Sequence, residues 1–215
     1  MKLVRYGAKG KELPGIIDND GKLRSLAGLV NEGSEQFLSD KGLAELGRMN
    51  LSKLPLVPGK PRFGCPVANV SKFVAIGLNY TDHAKETNSP IPKEPIIFMK
   101  ALNCLQGPND NVMLPRGSVK TDWEVELGIV IGKKTRYVTK ENALDHVAGY
   151  VLVNDVSERE FQAERGPQWD KGKGCDTFGP VGPYLVTRDE VKDPQNLELW
   201  LNVNGKRMQT GNTKT

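Results

Sequence analysis

The sequence predicts a β-rich α+β fold, a barrel or rolled mixed sheet whose helices are confined to connections. Short apolar runs of strand length recur along the 215 residues, separated by Gly, Pro and Asn turn signals. Helical patterns are few and short, which favours packed sheet over helix layers. Near the end, "LELWLNVNGKRMQ" places two strand-like pieces around Asn204-Gly205, a strong short hairpin signal.

In chain order, "KLVRY", "GIIDND" and "KLRSL" read as short strands and "GLAELGRMN" as a helix. The Pro- and Gly-rich "LPLVPGKPRFGCPV" reads as a linker. These features predict a small N-terminal domain over residues 1–62 and a main domain over 63–215. The main domain opens with the strand "KFVAIGLNY" and a short helix, "TDHAKET", with Thr81 or Asp82 as its cap. "PIIFMK" is a strand, and "NCLQGPNDNVMLPRGSVK" a long loop. "KTDWEVELGIVIG" is a strand, "KENALDHV" helical, and "AGYVLVNDV" an apolar strand ending on Asp155. "SEREFQAER" reads as a polar helix capped by Ser157, and "GPQWDKGKGCDTFGPVGPYLV" as a loop followed by a strand.

Composition narrows the function classes. Hydrophobic content of 38% and charged content of 26% suit a soluble globular protein, and no apolar run approaches the roughly 20 residues of a membrane span. The start, Met-Lys-Leu-Val-Arg-Tyr, lacks signal-peptide character, so a cytoplasmic location is expected. A net charge of +4, with both signs interspersed, does not predict a nucleic-acid partner. Cys65, Cys104 and Cys175 are widely spaced and form no C-x-x-C, so reduced thiols are expected. With only His83 and His146, a three-His zinc site is excluded, and metal ligands would have to be mostly oxygen.

The strand over 120–132 poses the sharpest question. Its alternation puts Glu124 and Glu126 on one face, with Asp122 continuing the row, before the apolar Ile129-Val130-Ile131. Such a strand reads as buried on both sides. Burying unpaired carboxylates costs several kcal/mol and is relieved by arginine partners, by a shared proton or by a divalent cation. The plain alternative is a solvated face on an edge strand. Asp155, closing its own apolar strand, would supply a third oxygen ligand. Three carboxylates suit Mg²⁺, with Mn²⁺ and Ca²⁺ as substitutes.

His83 and Glu86, at i and i+3 on a helix, could form a base whose tautomer and basicity the carboxylate sets. A surface histidine with a routine neighbour is the plain alternative. Lys173, in "DKGKGCD", is by itself an ordinary loop lysine.

"GLNYTDHAKE", "PIIFMK", "DWEVELGIVIG", "NDVSEREFQ" and "KGKGCDTFGPVGPYLV" occur in the order found in the fumarylacetoacetate hydrolase family, which the chain resembles over residues 65–215. The resemblance implies a rolled β-structure, usually a homodimer, acting on a small diketo or keto acid with Mg²⁺ or Mn²⁺. It matches Glu124, Glu126 and Asp155 to metal ligands, His83 and Glu86 to a water-activating dyad on a mobile lid, and Lys173 to a carbonyl-facing lysine. Arg159 and Gln162 match positions that contact the substrate carboxylate. Gly77 and Pro90-Ile91-Pro92 would be the lid's mobile ends.

The implied activity is hydrolysis of a carbon–carbon bond in a 2,4-diketo acid, a 2,4-diketo-3-deoxy sugar acid being the expected substrate. Ureidoglycolate lyase, oxaloacetate decarboxylase and an inactive metal-binding form are the alternatives. The family ordinarily continues past "TGNTKT" with a threonine-glycine loop and closing strands, so a C-terminally truncated form is expected.

Overall fold

A computed structural model describes residues 1–215. The first third contributes β1 (Lys2–Tyr6), β2 (Leu13–Ile17), β3 (Leu23–Ser25) and helix α1 (Asp40–Gly47). Next come β4 (Val74–Gly77), α2 (Thr81–Glu86), β5 (Ile96–Met99) and β6 (Leu105–Gln106). The central strands are β7 (Thr121–Asp122), β8 (Val125–Ile131), β9 (Val147–Asn154) and β10 (Ser157–Glu158). Helix α3 (Asp170–Lys173), β11 (Gly179–Thr187), β12 (Glu198–Val203) and β13 (Lys206–Asn212) complete the chain. The β-rich α+β prediction holds.

The principal sheet runs β3-β2-β1-β11-β9-β8, with β6 added parallel to β11. It ends at β3 and β8 and so is open rather than a closed barrel. β1 lies antiparallel to β11, with Leu3 opposite Leu185, so hydrogen bonding crosses the boundary expected at residue 62. The main hydrophobic cluster does the same, uniting Leu3, Ile16, Leu26 and Leu46 with Val151, Val153, Val181 and Leu185. The supposed linker is a packed strap: Phe63 bridges Tyr6, Leu56 bridges Arg24, and Cys65 and Val67 pack on the core.

Asn204 and Gly205, both at positive φ, form the turn joining β12 to β13. β8 is an edge strand, and Ile129 and Ile131 are more than half exposed, so its apolar end is not buried on both faces. On its other face Val130 packs against the main cluster, and Gly128 makes room for its cross-strand partner Val151, whose side chain would lie 2.6 Å from a Cβ there.

Ser157 caps no helix. It joins β10, which pairs with β7, and its hydroxyl donates to the Asp155 carbonyl at 2.9 Å. The neighbouring Glu158 is fully buried and accepts from the Lys120 N–H at 3.1 Å and the Thr121 hydroxyl at 3.0 Å. The segment leaves the sheet as a wide helical turn only at Glu160–Glu164. Neither Thr81 nor Asp82 is the cap of α2; Tyr80 occupies that position with no side-chain capping bond. No helix is long and apolar enough to cross a membrane.

Candidate active site

The site is built where several strands end. Register pairs Val125 with Asn154, which sets Glu124 beside Asp155; the Asp155 N–H donates to the Glu124 carbonyl at 2.9 Å. From the opposite side, α3 is tied to β5 because Asp170 Oδ1 accepts the Met99 N–H at 3.0 Å. That bond brings Lys100, just past β5, and Lys173, at the end of α3, toward the same point.

Lys173 Nζ lies 2.7 Å from Glu124 Oε2 and 2.9 Å from Asp155 Oδ2. Lys100 Nζ lies 2.6 Å from Asp155 Oδ1 and donates to the carbonyls of Lys173, at 2.5 Å, and Val156, at 3.3 Å. Asp155 Oδ1 meets Lys100 as a close ion pair without hydrogen-bond directionality. Both lysine side chains are 3% exposed or less. Burial pushes the Asp155 carboxyl up, but Lys173 and Lys100 outweigh it and hold the group below the ordinary carboxylate range.

Arg159 forms the outer wall. Its Nη1 lies 2.6 Å from Glu124 Oε1, and Nε and Nη2 donate to Asp122 Oδ2 at 2.9 and 2.7 Å. Burial alone would lower its pKa, but Glu124 and Asp122 raise it. Gln162 Oε1 accepts from Arg159 Nη1 at 3.2 Å. Glu126 has a different environment, with no cation in ion-pair contact. Burial first, then the charges of Glu124 and Asp155, push its carboxyl up to about 8 against the pull of Lys173 and Tyr80. Burial and Glu126 in turn push the Tyr80 phenol up.

The structure thus joins Glu124, Asp155, Lys173, Arg159 and Gln162 directly and sets Glu126 within electrostatic reach. His83 and Glu86 pair only with each other, His83 Nδ1 lying 3.7 Å from Glu86 Oε2 on an exposed helix face. Gly77, expected as a lid end, is a packing position: a Cβ there would lie 2.3 Å from the Trp169 ring, which packs edge-on against Phe98 at 5.5 Å. Sequence reasoning missed Lys100. The available signal was a lysine closing the apolar "PIIFM", a charge carried inward by its strand.

No three His, Cys, Asp or Glu side chains are gathered around one point as a metal set, because Lys173 stands between Glu124 and Asp155. The residues nevertheless fit a hard cation. Four acids, Asp122, Glu124, Glu126 and Asp155, face three cations, Lys100, Lys173 and Arg159. The partly buried Glu126, raised to about 8, carries that deficit. An added positive ion beside these oxygens would let all four ionise.

The family profile "Fumarylacetoacetate (FAA) hydrolase C-terminal" matches residues 72–215. A Burkholderia lata relative with the word hydrolase in its name is 60% identical over all 215 residues, which span 76% of that protein. Maleylpyruvate hydrolase from Sphingobium sp. SYK-6, solved with manganese(II) and pyruvate, superposes with a TM-score of 0.80 at 28% identity. The match covers 100% of this chain and 77% of that one. A 5-carboxymethyl-2-hydroxymuconate delta-isomerase from Mycobacterium smegmatis gives a TM-score of 0.74 at 29% identity, covering 100% and 76%.

Proposed function

The chain belongs to the fumarylacetoacetate hydrolase family, and from that membership we propose that it hydrolyses a carbon–carbon bond in an acylpyruvate-type 2,4-diketo acid with the help of a divalent cation. The single observation carrying this reading is an acid cluster around the buried Asp155 that its own lysines and arginine leave one charge short. Glu124, Glu126 and Asp155 would hold Mg²⁺ or Mn²⁺, a Lewis acid that draws electron density from the substrate's carboxylate and keto oxygens.

Each remaining role falls to a residue of this chain. Arg159, with Gln162 against its guanidinium, presents a planar donor to the substrate carboxylate. Lys173 offers a fixed ammonium to the oxygen on which negative charge develops. Lys100, donating to the Lys173 carbonyl, holds that residue's backbone in place. His83, oriented by Glu86, takes a proton from water as its oxygen attacks the distal carbonyl carbon. The carbon–carbon bond then breaks, its electron pair passes to the pyruvyl fragment as an enolate, and protonation gives pyruvate and a carboxylic acid. Because the dyad sits on an exposed helix, its approach to the cluster requires closure of α2 over the site.

The test is loss of an acylpyruvate's ultraviolet absorbance with Mn²⁺ present, together with enzymatic detection of pyruvate. His83→Ala should cut that rate about 10²- to 10⁴-fold while leaving Mn²⁺ affinity intact. An isomerase relative favours a second reading, proton transfer within an unsaturated keto acid, which needs no attacking water. Isomerisation that proceeds without pyruvate release and tolerates His83→Ala would select it.

A further inference from the structure

At the start of β8 the backbone between the two glutamates is held on one side by the chain leaving β9 and on the other by a side chain. The Glu124–Val125 peptide unit is gripped from both sides: its carbonyl accepts the Asp155 N–H at 2.9 Å, and its N–H donates to Gln209 Oε1 at 2.8 Å. The N–H of Glu124 donates to Asn154 Oδ1 at 3.1 Å. Val125 lies on the open edge of the principal sheet, where no strand is available to accept that proton.

Gln209 comes from β13, 84 positions away in sequence. Leu201 pairs with Gln209 and Asn202 with Arg207, so Met208 is one residue too many on β13. Bulges of this kind bend a strand and re-aim its side chains. Here Gln209 reaches β8, against which β12 packs, while Met208 remains partly exposed.

We propose that Gln209 is a positioning residue for the acid cluster. By fixing the rotation of the Glu124–Val125 peptide it sets the direction in which Glu124 leaves the backbone and its separation from Asp155, tying the β12–β13 hairpin to the site. This deepens the reading of Glu124 and Asp155 as cation ligands and rests on it for its consequence, but not for its geometry.

The test uses the full chain and two readouts, deuterium exchange of the 122–127 segment without metal and Mn²⁺ affinity by calorimetry. Gln209→Leu, which removes the acceptor, should speed exchange at Val125 about tenfold and weaken Mn²⁺ binding by a similar factor. Gln209→Glu, which keeps an acceptor oxygen, should retain the protection. Met208→Ala, on the same hairpin, should change neither readout. Unchanged exchange at Val125 in the leucine variant would overturn the proposal. So would faster exchange with full Mn²⁺ affinity, since the bond would then hold the hairpin without positioning the acids. If the unaltered protein takes up no Mn²⁺, the cation reading falls, while exchange at Val125 still decides whether Gln209 holds the Glu124–Val125 peptide.

Discussion

Two ion networks in the molecule use similar residues and reach different ends. One lies under the 54–67 strap, where Arg62 binds Glu12 at 2.8 Å and Asp110 at 2.6 Å, and Arg5 binds Glu32 at 3.0 Å. The other is the acid cluster around Lys100 and Lys173. Counting does not separate them: the strap has three acids for two arginines, the cluster four acids for three cations. Distribution does. Arg62 forks across two carboxylates, so every strap acid has an arginine. Asp110 is held below the ordinary range chiefly by its Arg62 bond; Glu12 is held there too, the Arg62 bond and its other contacts outweighing burial. In the cluster the shortfall is concentrated on Glu126. A network whose geometry gives every acid a cation fastens the chain; one with a partly buried acid that no cation contacts has room for a ligand.

The largest break in that comparison should come from Asp155→Ala. It strips two nearly inaccessible lysines of their shared carboxylate, and losing one partner of a buried ion pair costs about 3–5 kcal/mol. Urea unfolding of the metal-free protein should show that loss, and calorimetry should show no Mn²⁺ uptake. A variant as stable as the parent would mean the lysines are not held by Asp155.

Arg62→Ala should cost less, about 1–2 kcal/mol, because the strap pairs are partly solvated and solvent weakens ion pairs. The expected signature is a lower urea midpoint with unchanged Mn²⁺ affinity. A weakened affinity would show that the two networks communicate.

How much of this was legible in the sequence follows from how far apart the partners lie. Alternation within one strand put Glu124 and Glu126 on one face, and the local signal Asn204-Gly205 fixed a hairpin. What failed depended on distant contacts. Lys100 looked like an ordinary strand end because its partners are 55 and 73 positions away. Ser157 looked like a helix cap because β7, which draws it into a strand, lies more than 30 residues upstream. Ile129 and Ile131 looked buried because an apolar run does not reveal whether its strand stands at a sheet edge. The strap read as a linker because Pro and Gly mark irregular backbone, which is not the same as loose backbone.

The smallest expected effect is a pH dependence confined to the strap. Glu12 and Asp110 have folded pKa values below their unfolded ones, so the unfolded chain binds more protons in the acid range. Their contribution is full above the ordinary carboxylate range near pH 4 and is lost as pH falls through the depressed folded values. Arg62→Ala removes the main cause of the depression at both acids. The gap in urea midpoint between parent and variant should therefore be widest at pH 7 and narrow toward pH 3. A gap of constant size would show that Arg62 acts through its bond to the Gly7 carbonyl, at 3.1 Å, and through packing of its stem, neither of which titrates.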